Sequence, residues 1–212
     1  MLKINEIYFS VQGESTKAGL PCVFVRLTYC NLRCSYCDTE YAFYEGFDSS
    51  IDSVIEEVKK YKCNLVEITG GEPLVQNESL ELMKRLCDEG FEVMLETGGS
   101  LPIENVDKRV MIILDLKCPS SKMKKKNLYE NINFLKPIDE VKFVIGTRED
   151  YEWSRDIVAK YDINKKCEVL FSVVFGELEP VALVEWILAD NINVRFQLQA
   201  HKFIWKPEER GV

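Results

Sequence analysis

Short apolar runs that alternate with amphipathic stretches constrain the fold of this 212-residue chain more than any other feature. Strands are predicted at residues 22–28, 64–69, 91–97, 110–117, 140–145, 168–174 and 193–199. Helices are predicted at residues 50–61, 79–90, 148–161 and 179–190, where apolar side chains recur on one face. This alternation predicts an α/β fold with a parallel sheet. Seven strands with four or five helices suit a partial, incomplete (β/α) barrel, and we expect a single domain over residues 1–212.

Composition and charge limit the classes of function. Apolar residues make up 46% and charged residues 29%, which is the balance of an ordinary globular protein. The net charge of −8 disfavours nucleic acid as a partner, because such proteins need a basic face. No apolar run approaches the roughly 20 residues of a membrane span, so we expect no membrane partner. The basic run at residues 122–127 is interpreted as a solvated loop.

Three of the eight cysteines lie on one short segment. Cys30, Cys34 and Cys37 have C-x3-C-x2-C spacing just after the first predicted strand, where (β/α) folds carry their chemistry. Four thiolates usually hold an iron–sulfur cubane, so three would leave one iron open to a small molecule. A zinc site completed by Asp38 or His201 is the alternative. Eight cysteines with no recognisable signal peptide indicate a reducing compartment, and we expect a cytoplasmic protein.

The cysteine segment resembles that of the radical S-adenosylmethionine (SAM) superfamily, in which an aromatic residue, here Tyr36, precedes the last cysteine. The sequence TGGEP at residues 69–73 resembles the glycine-rich loop of that superfamily. The resemblance implies a [4Fe–4S] cluster on the three cysteines, with SAM chelating the open iron. It implies SAM contacts at Tyr36, Gly71, Lys117 and Ser172. It also implies a flavodoxin- or ferredoxin-type electron donor.

Longer motifs resemble the 7-carboxy-7-deazaguanine synthase family of the queuosine pathway: FSVQGES, DLKCPSS and QLQAHKFIW. Enzymes of this family rearrange 6-carboxytetrahydropterin to a deazapurine and release ammonia. The resemblance implies that Arg26 binds the substrate carboxylate, that Thr69 contacts the base and that Thr39 binds Mg²⁺. It also implies a homodimer. The implied substrate-binding residues are Val11, Gln12, Gly13, Arg26, Thr69, Ala200, His201 and Val212.

Three departures from the usual pattern of that family leave two activities open. Tyr29 stands where glycine is usual, and Gly98 and Ala200 are smaller than the residues expected there. A pocket with more room would suit queuine, so these departures favour a queuine lyase, which cleaves the cyclopentenediol side chain in base salvage. Arg26 and Thr39 favour the synthase, because queuine has no carboxylate. Both activities break a carbon–nitrogen bond.

An iron–sulfur electron carrier is the alternative from a different class of function. A carrier would gain from a fourth thiolate, and it would have no use for the glycine-rich loop. The preferred interpretation is therefore a radical SAM carbon–nitrogen lyase that acts on a small molecule, either a pterin or a 7-deazaguanine base.

Overall fold

The computed structural model describes residues 1–206 and 209–212, and its centre is one sheet of nine strands. The strands are β1 (Leu2–Val11), β2 (Pro21–Leu27), β3 (Phe47–Ser49), β4 (Leu65–Gly70), β5 (Glu92–Thr97), β6 (Met111–Asp115), β7 (Glu140–Ile145), β8 (Glu168–Val173) and β9 (Arg195–Phe196). Their order across the sheet is β3-β1-β2-β4-β5-β6-β7-β8-β9. Strand β1 is antiparallel to both of its neighbours, and the strands from β2 to β9 across the sheet are parallel.

The helices of the described part begin in different ways, two of them at residues whose side chains accept hydrogen bonds from free backbone N–H groups. They are α1 (Ile51–Lys60), α2 (Glu78–Asp88), α3 (Arg148–Lys160), α4 (Pro180–Asp190) and α5 (His201–Ile204). The Ser50 side chain accepts a hydrogen bond from the Ser53 N–H at the start of α1. Thr147 and Asp150 cap α3 reciprocally. Proline in the first turn begins α4, where its missing N–H costs nothing.

The two faces of the sheet have different partners. On one face, strand residues pack against helices α1 to α4 in the main apolar core, which includes Val54, Leu82, Tyr151 and Leu183. On the other face, which is the interior of the barrel, a smaller apolar cluster contains Cys22, Phe24, Leu65, Met94, Met111 and Ile113. Interior positions nearer the carboxyl ends of the same strands are polar. The parallel strands thus form an apolar lower layer with a polar site above it.

The loop between β1 and β2 closes the lower end of the barrel. This hairpin loop (residues 12–20) contacts the first residues of two distant strands, because Lys17 pairs with Glu92 and the Thr16 N–H donates to Glu140 Oε1 at 2.7 Å. Since β1 is antiparallel to the other strands, its end lies opposite the cysteine-containing end of β2. The cavity is therefore bounded below by the hairpin loop and above by the cysteines.

The predicted partial (β/α) barrel is confirmed, with changes at its edges. Strands β1 and β3 were not predicted, and the strand expected at residues 193–199 is reduced to Arg195–Phe196. The next residues form α5 instead of continuing the strand. Within residues 1–206 and 209–212, no helix has both the length and the apolar character needed to cross a bilayer.

Candidate active site

A cavity of about 550 Å³ occupies the barrel interior, a volume typical of small-molecule sites, which span roughly 300–1,000 Å³. Most of the predicted site residues line it: Val11, Gln12, Gly13, Arg26, Cys30, Cys34, Tyr36, Cys37, Thr39, Thr69, Gly71, Lys117, His201 and Val212. Ser172 and Ala200 are not among its lining residues. The structure therefore brings together residues that are nearly the whole chain apart in sequence.

The cysteine loop (Cys30–Cys37) is fastened to the segment that follows β6. Ser35 donates its N–H to the Ser121 carbonyl at 3.1 Å and its hydroxyl to the Ser120 carbonyl at 2.7 Å. Leu32, between the first two cysteines, is buried and anchors the loop from within. The loop is thus held at the rim of the cavity, and its Asn31, Arg33 and Ser35 side chains are exposed.

The three thiols of the cysteine loop are free and half-buried. Burial raises their pKa values, that of Cys34 to about 11, whereas the positive charge of Lys117 lowers all three. The thiols are therefore protonated at neutral pH without a metal. Metal binding would release these protons.

The donor set fits an iron–sulfur cubane better than a single zinc ion. In the part of the chain that the structure describes, no three His, Cys, Asp or Glu side chains are grouped so that they could hold one ion. Zinc needs four ligands around one centre, whereas the three cysteines of a cubane each bind a different iron. Asp38 accepts a hydrogen bond from Lys202 Nζ at 2.6 Å, and His201 packs against Gly13. Neither suggested fourth ligand is arranged for zinc.

The glycine-rich loop after β4 lies directly against the start of the cysteine loop. The Gly71 N–H donates to the Leu27 carbonyl at 3.1 Å, and the Glu72 N–H donates to the Tyr29 carbonyl at 2.8 Å. A Cβ at Gly70, whose φ is +139°, would overlap the Leu27 carbonyl, and one at Gly71 would overlap the Tyr29 carbonyl. Only glycine permits this approach, which brings the loop to the cysteine end of the cavity.

Glu72, to which the sequence analysis gave no role, anchors the glycine-rich loop from inside. Its buried carboxylate accepts hydrogen bonds from Thr97 Oγ1 at 2.9 Å, from the Gly98 N–H at 2.7 Å and from the Leu74 N–H at 3.1 Å. Burial raises the pKa of Glu72, and these donors oppose the effect. Gly98 lines the cavity, and a Cβ at this position would lie 2.8 Å from Leu32 Cδ1, so Leu32 already fills the space beside it.

Arg26 presents one end of its guanidinium to the cavity. Its Nε donates to Glu6 Oε1 at 2.7 Å and its Nη2 donates to the Tyr8 hydroxyl at 2.7 Å. Burial lowers the pKa of Arg26, but Tyr8, Tyr41 and Glu6 raise it above its ordinary value. Among the described residues Nη1 has no hydrogen-bond partner, so it can donate to a ligand carboxylate.

Thr39 and Asp38 join the cysteine loop to α5. The Thr39 hydroxyl donates to Asp38 Oδ1 at 2.9 Å, and the second carboxylate oxygen pairs with Lys202. Burial would raise the pKa of Asp38, but Lys202 and Thr39 lower it to about 2. The Thr39 hydroxyl, the predicted magnesium ligand, thus lies against a carboxylate whose charge Lys202 already offsets.

A buried network of charged side chains, which the sequence analysis missed, crosses the barrel interior. Lys142 pairs with Glu96, with Glu14 at 2.8 Å and with Asp115 at 3.6 Å. Lys117 pairs with the same Asp115 carboxylate at 2.9 Å. Burial would lower the pKa of Lys142, but Glu14 and Glu96 raise it well above its ordinary value. The network fixes an array of carboxylates around the cavity.

Glu67 extends this array toward the lower end of the cavity. Its carboxylate accepts a hydrogen bond from the Gln12 amide. Burial and the neighbouring Glu96 raise the pKa of Glu67 well above its ordinary value. Thr69, two residues further along β4, donates to Glu96 Oε2 at 3.3 Å. Gln12 and Thr69, both predicted to contact substrate, are therefore positioned by buried acids.

The hairpin loop and α5 form one wall of the cavity through a close contact. The Ala200 N–H donates to the Gly13 carbonyl at 2.9 Å, and a Cβ at Gly13 would overlap the His201 ring. Burial lowers the pKa of His201. The backbone of Ala200 supports the wall, but its side chain does not line the cavity. The extra room that the sequence analysis expected at this position is absent.

Ser172 lies behind the cavity wall, beside an unexpected second polar side chain. The register of β8 and β9 pairs Phe171 with Phe196, so Ser172 and Gln197 are neighbours. Both side chains are buried, and within the described residues neither finds a hydrogen-bond partner. Buried polar groups normally have partners, but neither side chain lines the cavity, so this arrangement does not support the predicted contact between Ser172 and SAM.

The last described segment, residues 209–212, returns to the Arg26 end of the cavity. The Arg210 guanidinium lies 3.7 Å from the centre of the Tyr41 ring and donates to Glu45 Oε2 at 3.1 Å. Tyr41 also donates to the Glu6 carboxylate that holds Arg26. Val212 is thereby brought to the wall of the same cavity.

Comparison with known proteins agrees with this geometry. The Radical SAM superfamily model matches residues 25–176. The 7-carboxy-7-deazaguanine synthase of Chlorobaculum tepidum is 45% identical over 100% of this chain and 97% of that protein. The synthase of Koribacter versatilis is 45% identical over the whole of both chains. The crystal structure of QueE from Escherichia coli has a TM-score of 0.76 at 21% identity and covers 92% of this chain and 93% of that one, which supports the fold.

The protein is a radical SAM enzyme. This class is defined by the partial barrel, by the three-cysteine loop at its rim and by the family model that matches residues 25–176. The chain belongs to the radical SAM superfamily and, within it, to the 7-carboxy-7-deazaguanine synthase family.

Proposed function

We propose that this protein converts 6-carboxytetrahydropterin to 7-carboxy-7-deazaguanine with release of ammonia. The observation that carries this proposal is Arg26, whose guanidinium is held from behind by Glu6 and Tyr8 and lines the cavity. Arg26 already forms an ion pair with Glu6 at 2.7 Å, and among the described residues its Nη1 has no partner and can donate to a ligand carboxylate. The pterin has one and queuine does not. The names of the full-length relatives support the same substrate.

The preference for queuine lyase that the sequence analysis reached loses its structural basis. Ala200 does not line the cavity, and Leu32 already occupies the space beside Gly98. Tyr29 is 44% exposed and lies outside the cavity. Of the three departures only Gly98 lines the cavity, and Leu32 fills the space beside it, so the structure offers no extra room and no added aromatic ring for queuine.

The polar groups of the cavity suit the two ends of a carboxypterin. Arg26 would bind the carboxylate, and the acids at the other end would accept hydrogen bonds from the ring N–H and amino groups. Glu67 and Glu96 are such acceptors, and they hold Gln12 and Thr69 in place. Val11, Gly13 and His201 line the cavity and would enclose the ring, with Val212 near the Arg26 end.

The cofactors of the family fit the upper part of the cavity. Cys30, Cys34 and Cys37 would hold the [4Fe–4S] cluster, while Tyr36, Gly71 and Lys117, which line the cavity, would contact SAM. When bound, these cofactors supply the radical chemistry that breaks the carbon–nitrogen bond. The ammonium of Lys117, fixed by Asp115, would attract the carboxylate of SAM.

We extend the proposal to Mg²⁺, to the partners and to the compartment. Thr39, with Asp38 beside it, would place an oxygen ligand on a magnesium ion that also contacts the substrate. A flavodoxin- or ferredoxin-type protein would donate the electron, and two chains would form a homodimer. The eight free thiols support a reducing compartment, the cytoplasm. One continuous sheet supports a single domain over residues 1–212.

The test is anaerobic turnover of the reconstituted protein with 6-carboxytetrahydropterin and, separately, with queuine. Dithionite serves as the reductant, and products are identified by mass spectrometry. We expect 7-carboxy-7-deazaguanine and ammonia from the pterin and no release of deazaguanine from queuine. Arg26→Gln should abolish pterin binding, while Arg33→Gln, which changes an arginine outside the cavity, should not. Cleavage of queuine with no conversion of the pterin would overturn the proposal.

A further inference from the structure

The basic run at residues 122–127, interpreted from the sequence as a solvated loop, lies beside the cysteine loop. The segment after β6 begins at the cavity with Lys117, continues through Ser120 and Ser121, which bind Ser35 of the cysteine loop, and then reaches the lysines. The lysines therefore belong to the same rim as the cysteines. We define the basic surface as Arg33 of the cysteine loop with Lys122, Lys124, Lys125 and Lys126.

The basic surface contrasts with the rest of the chain. Residues 29–37 contain one arginine and residues 116–128 contain five lysines, and neither segment contains an aspartate or a glutamate. These two segments together carry a charge of +6. Because the whole chain has a net charge of −8, all other residues together carry −14. An acidic partner would be repelled by most of the molecule and attracted to this rim.

The cations of the basic surface are free to meet a partner. Arg33, Lys122, Lys125 and Lys126 are exposed, and among the described residues none of the five cations pairs with a carboxylate. The exposed lysines of α1 differ, since Lys59 and Lys60 pair with Glu56 and Glu57. Unpaired positive charges that lie close together repel each other and raise the free energy of the unbound protein. An acidic partner would reduce this repulsion.

Exposed aromatic side chains next to Arg33 provide contacts of another kind. Tyr44 is 73% exposed, and its hydroxyl accepts a hydrogen bond from Arg33 Nη2 at 3.1 Å. Tyr29, just before the first cysteine, is 44% exposed with a left-handed φ of 78° that turns it away from the cavity. Arginine and tyrosine are enriched in protein interfaces. Tyr44 and Tyr29 therefore add exposed aromatic contact area beside the charged side chains.

We propose that the basic surface docks a small acidic one-electron carrier protein. SAM and substrate would occupy the inner side of the cysteine loop, so an electron must enter from its outer side, where the basic surface lies. The carrier loses one electron and the cluster gains one, with no bond formed or broken in this step. The inference rests on the cluster of the proposed function and is independent of which substrate the cavity binds.

The first test is binding of the reconstituted enzyme to a purified flavodoxin of net negative charge, measured by calorimetry at two salt concentrations. Lys125→Glu/Lys126→Glu should weaken binding about tenfold or more at low salt, because each reversal replaces an attraction with a repulsion. The difference should shrink as salt rises. Lys165→Glu/Lys166→Glu is the matched control, since it makes the same charge change in another short turn just before β8, at the opposite end of the sheet.

The second test separates docking from the chemistry of the site. We expect slower reduction of the cluster by reduced flavodoxin in Lys125→Glu/Lys126→Glu, followed by visible absorbance, and unchanged turnover with dithionite. Equal effects of the two double variants, or an equal loss with dithionite, would overturn the proposal. So would lysine-dependent binding of transfer RNA with no binding of flavodoxin, because it would assign the basic surface to nucleic acid. Failure of pterin turnover with dithionite, in contrast, would count against the proposed function alone.

Discussion

At the scale of single residues, the hydrogen-bond partners of each cavity side chain limit the ligand contacts that the side chain can make. Arg26 has Glu6 and Tyr8 behind it, so only one end of its guanidinium faces a ligand. Thr39 has its hydroxyl on Asp38, so a metal would have to share that contact. The proposed roles are thus fixed by neighbours as much as by residue type.

Thr39 provides a direct test of magnesium. If its hydroxyl binds an ion that also contacts the pterin, chelation of Mg²⁺ or the change Thr39→Ala should slow pterin turnover about tenfold or more, equivalent to about 1.4 kcal/mol or more of transition-state stabilisation. Thr39→Ser keeps the hydroxyl and should retain most of the rate. Turnover that is equally fast with excess chelator, in both wild type and Thr39→Ala, would contradict a role for the metal.

The raised pKa of Glu67 predicts how the stability of the folded protein depends on pH. Burial and Glu96 raise its folded-state pKa above that of the unfolded chain, so its favourable contribution is complete at low pH and is lost as pH rises through the folded pKa. Glu67→Gln stays neutral and can keep the hydrogen bond from Gln12. The melting temperature of the variant minus that of the wild type should therefore increase from pH 5 to pH 9. The increase should be about 2–4 °C for each kcal/mol of unfolding free energy that the wild type loses.

The control for this measurement is Glu149→Gln, on the exposed face of α3. Its melting temperature should follow that of the wild type across the same pH range. A difference for Glu67→Gln that stays constant with pH would mean that Glu67 is ionised in the folded protein.

At the scale of elements, the wall formed by the hairpin loop and α5 decides what fits the cavity. Gly13→Ala would push the His201 ring from its place, and overpacking of this kind typically costs about 1–3 kcal/mol. We expect pterin binding to weaken roughly five- to 150-fold. Ala200→Leu adds bulk outside the cavity and should change binding of pterin and of queuine by less than about threefold, a difference below 1 kcal/mol.

Dissociation constants for both ligands, measured with SAM present, check this pair of variants. Ala200→Leu that selectively blocked queuine would show that residue 200 faces the ligand after all, and would revive the lyase. Gly13→Ala with unchanged pterin binding would show that the position of His201 does not matter.

The elements that sequence predicts best are those buried on both faces. The runs at 64–69, 140–145 and 168–174 correspond closely to β4, β7 and β8, because parallel strands are covered by helices outside and by the barrel inside. Strand β1 was not predicted, because most of its residues are only half-buried and its apolar pattern is therefore weak. Strand β9 was overestimated because alternation continues past Phe196, where the ladder has already ended.

The charged network was missed although the sequence contains a signal for it. Glu67, Glu96, Asp115 and Lys142 each interrupt an otherwise apolar run that was predicted as a buried strand. A charge there is costly unless it is paired, so four such residues on successive strands indicate a paired interior site. The pairs themselves could not be predicted, because they depend on the register between strands. The role of Gly98 also depended on a contact, with Leu32, that only the folded chain contains.

At the scale of the whole molecule, only three of the eight cysteines lie at the cavity rim. We expect about four irons and four sulfides per chain after anaerobic reconstitution, as for a cubane. Cys30→Ala, Cys34→Ala and Cys37→Ala should each lose most of the iron. Cys63→Ala and Cys87→Ala, which change half-buried thiols elsewhere, should keep it. Colorimetric iron analysis checks this, and one zinc per chain with no iron uptake would favour the structural metal instead.

The hydrogen bond from the Ala200 N–H to the Gly13 carbonyl joins positions near opposite ends of the sequence. During synthesis, the cysteine loop leaves the ribosome long before residue 200. At about 5–20 residues per second, roughly 10–30 s separate the two. In that interval the thiols and the hairpin loop are present, but α5, which completes the wall, is not. A growing chain therefore carries all three predicted iron ligands before α5 can enclose the cavity.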